Sequence, residues 1–110
     1  VQALVREFGA QPEEVEVALG PGICERCYEV GPEVARRFSP WLPELATVSG
    51  PARLDLAEVN RRQLLRAGVS ADRLYLGTPC TACSGEEFYS YRRQGHKAGR
   101  MLSAIGIRPR

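Results

Sequence analysis

The stretch ARLDLAEVNRRQLLRAGVS, residues 52–70, changes its periodicity part-way along. Its first residues read as a short strand. Asp55 then offers a side-chain oxygen for an N-cap, and the positions after it bring Leu56, Val59, Leu64 and Ala67 onto one helical arc. Gly68 closes the helix as a residue free to turn left-handed. A strand that runs straight into an amphipathic helix points to an α/β or α+β domain, and the flanking segments decide its extent.

Working downstream, DRLYLG (72–77) reads as a second short apolar strand and RMLSAIGI (100–107) as a third. Between them EEFYSYRRQGHKAGR (86–100) alternates aromatic and polar residues and then turns basic, the pattern of a hairpin. Upstream, SPWLPELATVSGPA (39–52) carries three prolines and reads as an irregular crossing. Gly31-Pro32 opens a helix in PEVARRF (32–38), with proline at a first helical position and Glu33 in the first turn. EVEVALG (14–20) reads as a strand ending at Gly20-Pro21, and VQALVREFGA (1–10) as the tail of an amphipathic helix capped by Gly9. There is no internal repeat and no low-complexity segment.

The chain has 110 residues, enough for one small domain. Apolar residues at 44% and charged residues at 25% exclude disorder, collagen and coiled coil. A net charge of +2 gives no electrostatic case for nucleic acid. Lys97 is the only lysine among many arginines and Asn60 the only asparagine, a bias that fits a GC-rich or heat-adapted source. No apolar run approaches about 18 residues, and VQALVREF lacks the sections of a secretion signal. The expectation is a cytoplasmic protein without a membrane partner, whose four cysteines stay reduced and bind metal or do redox work.

Two of those cysteines lie in GPGICERCYEVGPEV (20–34) and two in TPCTACSG (78–85), each pair three apart. Three chemistries are open. Cys24, Cys27, Cys80 and Cys83 form a structural zinc site, since each CxxC turn can offer two thiolates to one tetrahedral ion. The separation of the pairs counts against it, because zinc ribbons keep about 15 to 20 residues between knuckles. A thioredoxin-type pair is weaker, since Cys24 and Cys27 precede the Gly31-Pro32 helix start by several residues. In the third, Cys27 acts alone, just past a strand end and a Gly-Pro turn, where α/β folds place their sites.

Three segments, ALGPGICERCYEVGPEV (18–34), LDLAEVNRRQLLRAGV (54–69) and CTACSGEEFYSYRRQGHKAGRMLSAIGI (80–107), resemble the C-terminal half of the YfiH-type laccase-domain family, also described as polyphenol oxidases and as purine nucleoside phosphorylases. The likeness runs from about residue 11 to residue 107 in unbroken order. It implies a layered α/β sandwich of mixed sheets flanked by helices, of which residues 1–110 are the C-terminal part with the N-terminal half missing. It further implies a zinc site of two histidines and one cysteine. The associated activities are phosphorolysis of adenosine and inosine, with adenosine deaminase and methylthioadenosine phosphorylase activity beside it.

By this resemblance Cys27, just before YEVG, inherits the metal-ligand role; Cys24 is a bystander, Cys80 matches a motif cysteine of unassigned role, and Cys83 a less characteristic position. The two pairs then need not meet. The family's His-Ala-Gly-Trp-Arg-Gly stretch is absent, residues 28–53 contain no histidine, and nothing in the sequence positions Glu44 as a substitute. The one histidine, His96, falls in the basic loop and reads as a surface residue. Implied partners are a purine nucleoside and phosphate, with a second copy or the absent half completing the domain.

Zinc bound by Cys27 and two imidazoles would leave an open position for water or a substrate oxygen. Copper ranks below zinc, since one thiolate without a histidine cluster is poor copper chemistry. Arg92 and Arg93, the densest basic pair, are the candidate phosphate or ribose contacts, because the guanidinium fork engages two oxygens at once. Phe88, Tyr89 and Tyr91 offer rings that could stack on a base, although alternating aromatics more often serve a core. The alternative function is a non-enzymatic four-cysteine zinc module. The two readings part at Cys83: replacement with serine spares the ion in the first and expels it in the second. An enzymatic role for Cys27 also requires it to stand apart from its three fellows, beside a cleft.

Overall fold

A computed structural model of the chain describes residues 1–109. These residues form four α-helices, α1 (Gln2–Phe8), α2 (Pro32–Arg37), α3 (Leu56–Arg66) and α4 (Tyr91–Gln94), and four two-residue strands, β1 (Val17–Ala18), β2 (Glu29–Val30), β3 (Ala52–Arg53) and β4 (Leu74–Tyr75), with β1 and β2 following one another between α1 and α2. The class is α+β, with mixed helices and small sheets. β1 and β4 pair in parallel, Val17 opposite Leu74 and Ala18 opposite Tyr75. β2 and β3 pair antiparallel, Glu29 opposite Arg53 and Val30 opposite Ala52.

Local chemistry accounts for the helix ends. Asp55 accepts from the Glu58 N–H at 3.0 Å and starts α3. Beyond its last turn Gly68 takes φ +97, where a side chain would be strained and its Cβ would also meet Pro12 at 2.9 Å. α2 begins at Pro32 behind Gly31. α1 ends at Gly9 with φ 66.

The core is built from the middle of the chain. Val30, Ala35, Leu42, Leu45, Leu54 and Val59 are buried together, with Tyr28, Phe38, Trp41 and Leu56 against them. The proline-rich crossing is therefore not a passive loop: Leu42 and Leu45 are buried in the same cluster as Ala35 of α2 and Val59 of α3. Arg62 ties that crossing to α3 by donating to the Trp41 carbonyl at 2.6 Å, and Arg66 lies 4.8 Å over the Trp41 ring.

Two expectations are corrected in the C-terminal third. The aromatic segment is not a hairpin; Ser90 caps the short α4, accepting from the Arg93 N–H at 3.3 Å while its own N–H donates to Gln94 Oε1 at 2.8 Å. The stretch read as a third strand has no regular structure, because no neighbouring strand offers its backbone a ladder. Leu102, Ile105 and Ile107 are 94–102% exposed. The Cα radius of gyration is 16.3 Å, against about 13 Å for a closed domain of this length.

Candidate metal centre

Parallel pairing of β1 with β4 decides where the cysteines go. Both strands run out of the sheet at the same end, and a CxxC turn comes after each of them within a few residues. The pairing continues past the strands: the Leu19 N–H donates to the Tyr75 carbonyl at 3.0 Å, Gly22 bridges Cys80, and the Thr81 N–H donates to the Gly22 carbonyl at 3.0 Å. Two segments far apart in sequence thus lie side by side.

The result is one cluster. The sulfurs of Cys24, Cys27, Cys80 and Cys83 all lie within 4.8 Å of one another, and none is in a disulfide. Cys24 and Cys83 Sγ are 3.9 Å apart, close to the edge of about 3.8 Å that a tetrahedron of sulfurs has at 2.3 Å from a central zinc. The two pairs, which the resemblance did not require to meet, come together. Cys27 stands with its three fellows rather than alone, and Cys24 is a full member of the group. A repeated order of strand followed by CxxC was the sequence signal; linear spacing alone hid it.

Each pair sits on a tight turn. A 3-10 turn at Glu25–Cys27 lets the Cys27 N–H reach the Cys24 carbonyl at 3.0 Å, and the Ser84 N–H reaches the Cys80 carbonyl at 3.1 Å. The N–H groups of Cys24 and Ala82 donate to the buried Cys80 sulfur at 3.2 and 3.3 Å. Burial pushes that thiol up, but backbone N–H groups of Cys24, Cys83 and Ala82 overcome it and bring Cys80 down to about 6. Hydrogen bonding with Cys24, then burial, pushes Cys27 up to about 12, and the Cys80 thiol raises Cys83. These shifts favour the thiolate at Cys80 and disfavour it at Cys27 and Cys83, and a dication among the sulfurs would offset the repulsion between neighbouring thiolates.

Arginines hold both turns in place. Arg53 of β3 donates to the Arg26 carbonyl inside the first turn. Arg93 donates to the carbonyls of Thr81 at 3.1 Å, Ala82 at 3.0 Å and Phe88 at 2.7 Å, and also to Gly85, so its fork wraps the loop that carries Cys83. Arg92 points elsewhere, donating to the Glu29 carbonyl at 3.2 Å with its guanidinium 5.0 Å over the Tyr28 ring. His96 is exposed and meets Tyr91 edge-on, and Glu44 is exposed in the proline-rich crossing; neither joins the cluster.

Two depressions flank the cysteines. The larger, of about 540 Å3, lies between the first turn and the start of α3, with Cys24, Cys80, Asp55 and Asn60 among its walls. The second, of about 410 Å3, is lined by Tyr28, Tyr89, Tyr91, Arg92, Thr81 and Met101. Gly99 lies directly against Tyr89, where a Cβ would come within 2.7 Å of the ring. Phe88 is not in that wall. No helix among the described residues is long and apolar enough to cross a membrane.

An α+β chain with paired cysteine turns at one end of a parallel strand pair, beside two clefts, defines the class. Residues 1–108 match the family model described as multi-copper polyphenol oxidoreductase laccase, and the chain belongs to that family. The purine nucleoside phosphorylase YlmD of Geobacillus stearothermophilus is 41% identical over 103 residues, which cover 88% of this chain and 38% of that protein. A purine nucleoside phosphorylase of Deinococcus radiodurans is 41% identical over 105 residues, 91% of this chain and 39% of its own length. The crystal structure of the hypothetical protein YfiH of Bacillus licheniformis superposes with a TM-score of 0.74 at 31% identity, covering 84% of this chain and 37% of that one. The chain spans about two-fifths of the length of the curated relatives it matches.

The family description names copper. Four sulfurs without an imidazole suit a soft or borderline ion such as zinc or copper(I), and not the nitrogen-rich, tetragonal surroundings of copper(II).

Proposed function

We propose that these residues are the C-terminal part of a single laccase-like domain that acts as a zinc-dependent purine nucleoside phosphorylase, cleaving adenosine or inosine with phosphate. The observation that carries the reading is the 41% identity, over nearly the whole of this chain, to relatives named for that activity. The exposed Phe8, Leu102, Ile105 and Ile107 support the domain assignment, since apolar side chains of that size call for cover from further structure.

The second depression suits a nucleoside. Tyr28, Tyr89 and Tyr91 offer ring faces and edges to a base, and Arg92 brings a guanidinium to the same wall for phosphate. Phosphorolysis needs phosphate held against the sugar while the purine leaves, and a bidentate guanidinium both binds the anion and orients it. Arg93 serves the same wall indirectly, by fixing the loop from Thr81 to Phe88 next to it. Cys27 stands with its three fellows and so lacks the separate position that a direct part in the reaction requires; in this reading it holds, with them, a zinc that keeps the shape of the site. A bound zinc supplies charge neutralisation for those thiolates.

The test is phosphate-dependent release of free base from adenosine and inosine by the full-length protein that contains these residues, monitored by chromatography. Arg92→Ala is expected to raise the KM for phosphate about tenfold or more, consistent with losing one charged contact. Absence of base release at any phosphate concentration would leave the second reading, a non-enzymatic zinc module, which the gathering of all four thiols favours.

A further inference from the structure

We infer that Cys24, Cys27, Cys80 and Cys83 together form a closed tetrathiolate zinc site that ties residues 20–28 to residues 78–84, an architectural ion with no position open for water or substrate. The inference stands independently of which reaction the protein performs. Each sulfur has the same claim on a shared ion, because all four lie within 4.8 Å of one another while His96 and Glu44 are outside the group. Four thiolates complete the tetrahedral shell that zinc takes in structural sites, whereas catalytic zinc keeps three protein ligands and one exchangeable position.

The surrounding backbone is built for that purpose. Two CxxC turns face each other, zipped by the Gly22–Cys80 bridge and by the Thr81 N–H to the Gly22 carbonyl. N–H groups of Cys24 and Ala82 already point at the Cys80 sulfur, the kind of outer hydrogen bond that orients a ligating thiolate. Arg53 and Arg93 then fasten one turn each, through carbonyl oxygens rather than through the sulfurs. Strands of two residues provide little holding power of their own, so a joint between the turns supplies what the sheet lacks.

The consequence for the flanking clefts is direct. Gly22, Cys24 and Cys80 are walls of the larger one, and Gly22 and Thr81 are walls of the smaller. An ion that fixes these residues shapes both depressions without entering either. Metal dependence of any activity would then reflect the form of the site and not a metal-bound nucleophile.

The decisive measurement uses the protein without substrate. Metal analysis after purification under reducing conditions is expected to give one zinc per chain, and cobalt substitution to give the intense sulfur-to-metal charge-transfer and d–d bands of a four-sulfur site, unchanged by added cyanide. Each of C24S, C27S, C80S and C83S should lose the ion or bind it at least about a hundredfold more weakly. Since a serine variant can fail by misfolding, Cys24→His is the control: it should keep one ion and show the spectrum of three sulfurs and one nitrogen. Zinc content and cobalt spectrum unchanged in C24S or C83S would overturn the inference. So would a cyanide-responsive spectrum, iron in place of zinc with its own visible absorption, two disulfides in the reduced preparation, or loss of the ion by Cys24→His as complete as in C24S.

Discussion

Replacing Arg93 with alanine separates two roles that its sequence position leaves open, contact with substrate and support of the cysteine loop. Its guanidinium donates to the carbonyls of Thr81, Ala82, Gly85 and Phe88. A hydrogen bond from a charged donor is worth about 1.5–3 kcal/mol, but these lie partly in solvent, where water takes over for a lost donor. Counting the four as equivalent to one fully effective bond gives a loosening of the loop of about 2 kcal/mol, or roughly thirtyfold in an equilibrium that needs the loop in place. Since Cys80 and Cys83 ride on that loop, zinc affinity is expected to fall by roughly that factor, within the range of about 10- to 100-fold for outer-shell partners. Competition against a chromophoric chelator reads the affinity, and initial rates at varied phosphate read KM. Arg93→Lys should recover part of the loss, as a single ammonium can reach only some of the carbonyls that the planar fork spans. Unchanged zinc affinity together with a raised phosphate KM would refute the reasoning and place Arg93 against the substrate.

Leu54 is fully buried at the centre of the core, so Leu54→Ala should lower unfolding free energy by about 3 kcal/mol or more, measured by urea titration. Asp55→Ala removes the side chain that starts α3 and should cost about 1 kcal/mol in the same assay, with Asp55→Asn recovering most of it. Glu58 is held down to about 2, first by Arg61 and then by Arg62, against an ordinary value of 4.5. Because the folded value lies below the unfolded one, this pairing contributes fully above about pH 4.5 and is lost as pH falls toward 2; allowing for solvent, it amounts to about 1 kcal/mol. Glu58→Gln should flatten that part of the stability–pH curve, and a curve of unaltered slope would count against the assignment.

The helices were the legible part of this chain, because their ends are written in local chemistry. Asp55 and Gly68 bracket α3, Gly31-Pro32 opens α2 and Gly9 closes α1, each through groups a few residues apart. Three strands were located but two of them overextended, β2 went unread, and RMLSAIGI forms none. EVEVALG forms a ladder only at Val17–Ala18, since the length of a strand depends on its partner and not on its own pattern. The α4 segment shows the same limit from the other side: alternating aromatics imitate a strand, yet the reciprocal bonds of Ser90 with Gln94 and Arg93 capture the backbone for a helical turn. Arg92 and Arg93 look alike in sequence and differ in the fold, one lining a cleft and the other turned onto the loop carbonyls.

The candidate centre was half legible for a related reason. Each CxxC pair announces a turn able to present two thiolates, and that much is local. Whether the turns meet depends on the register of β1 against β4, which no spacing rule for contiguous zinc ribbons contains. Once Val17 faces Leu74, the residues leaving β1 and β4 have little choice of direction, and both turns emerge at the same sheet end. The short strands, the cysteine joint and the exposed apolar C-terminal residues then belong to one physical problem. A chain with so little ladder and so much uncovered apolar surface needs other connections, and the four sulfurs supply one next to Pro21, Gly22 and Ile23, which line both depressions.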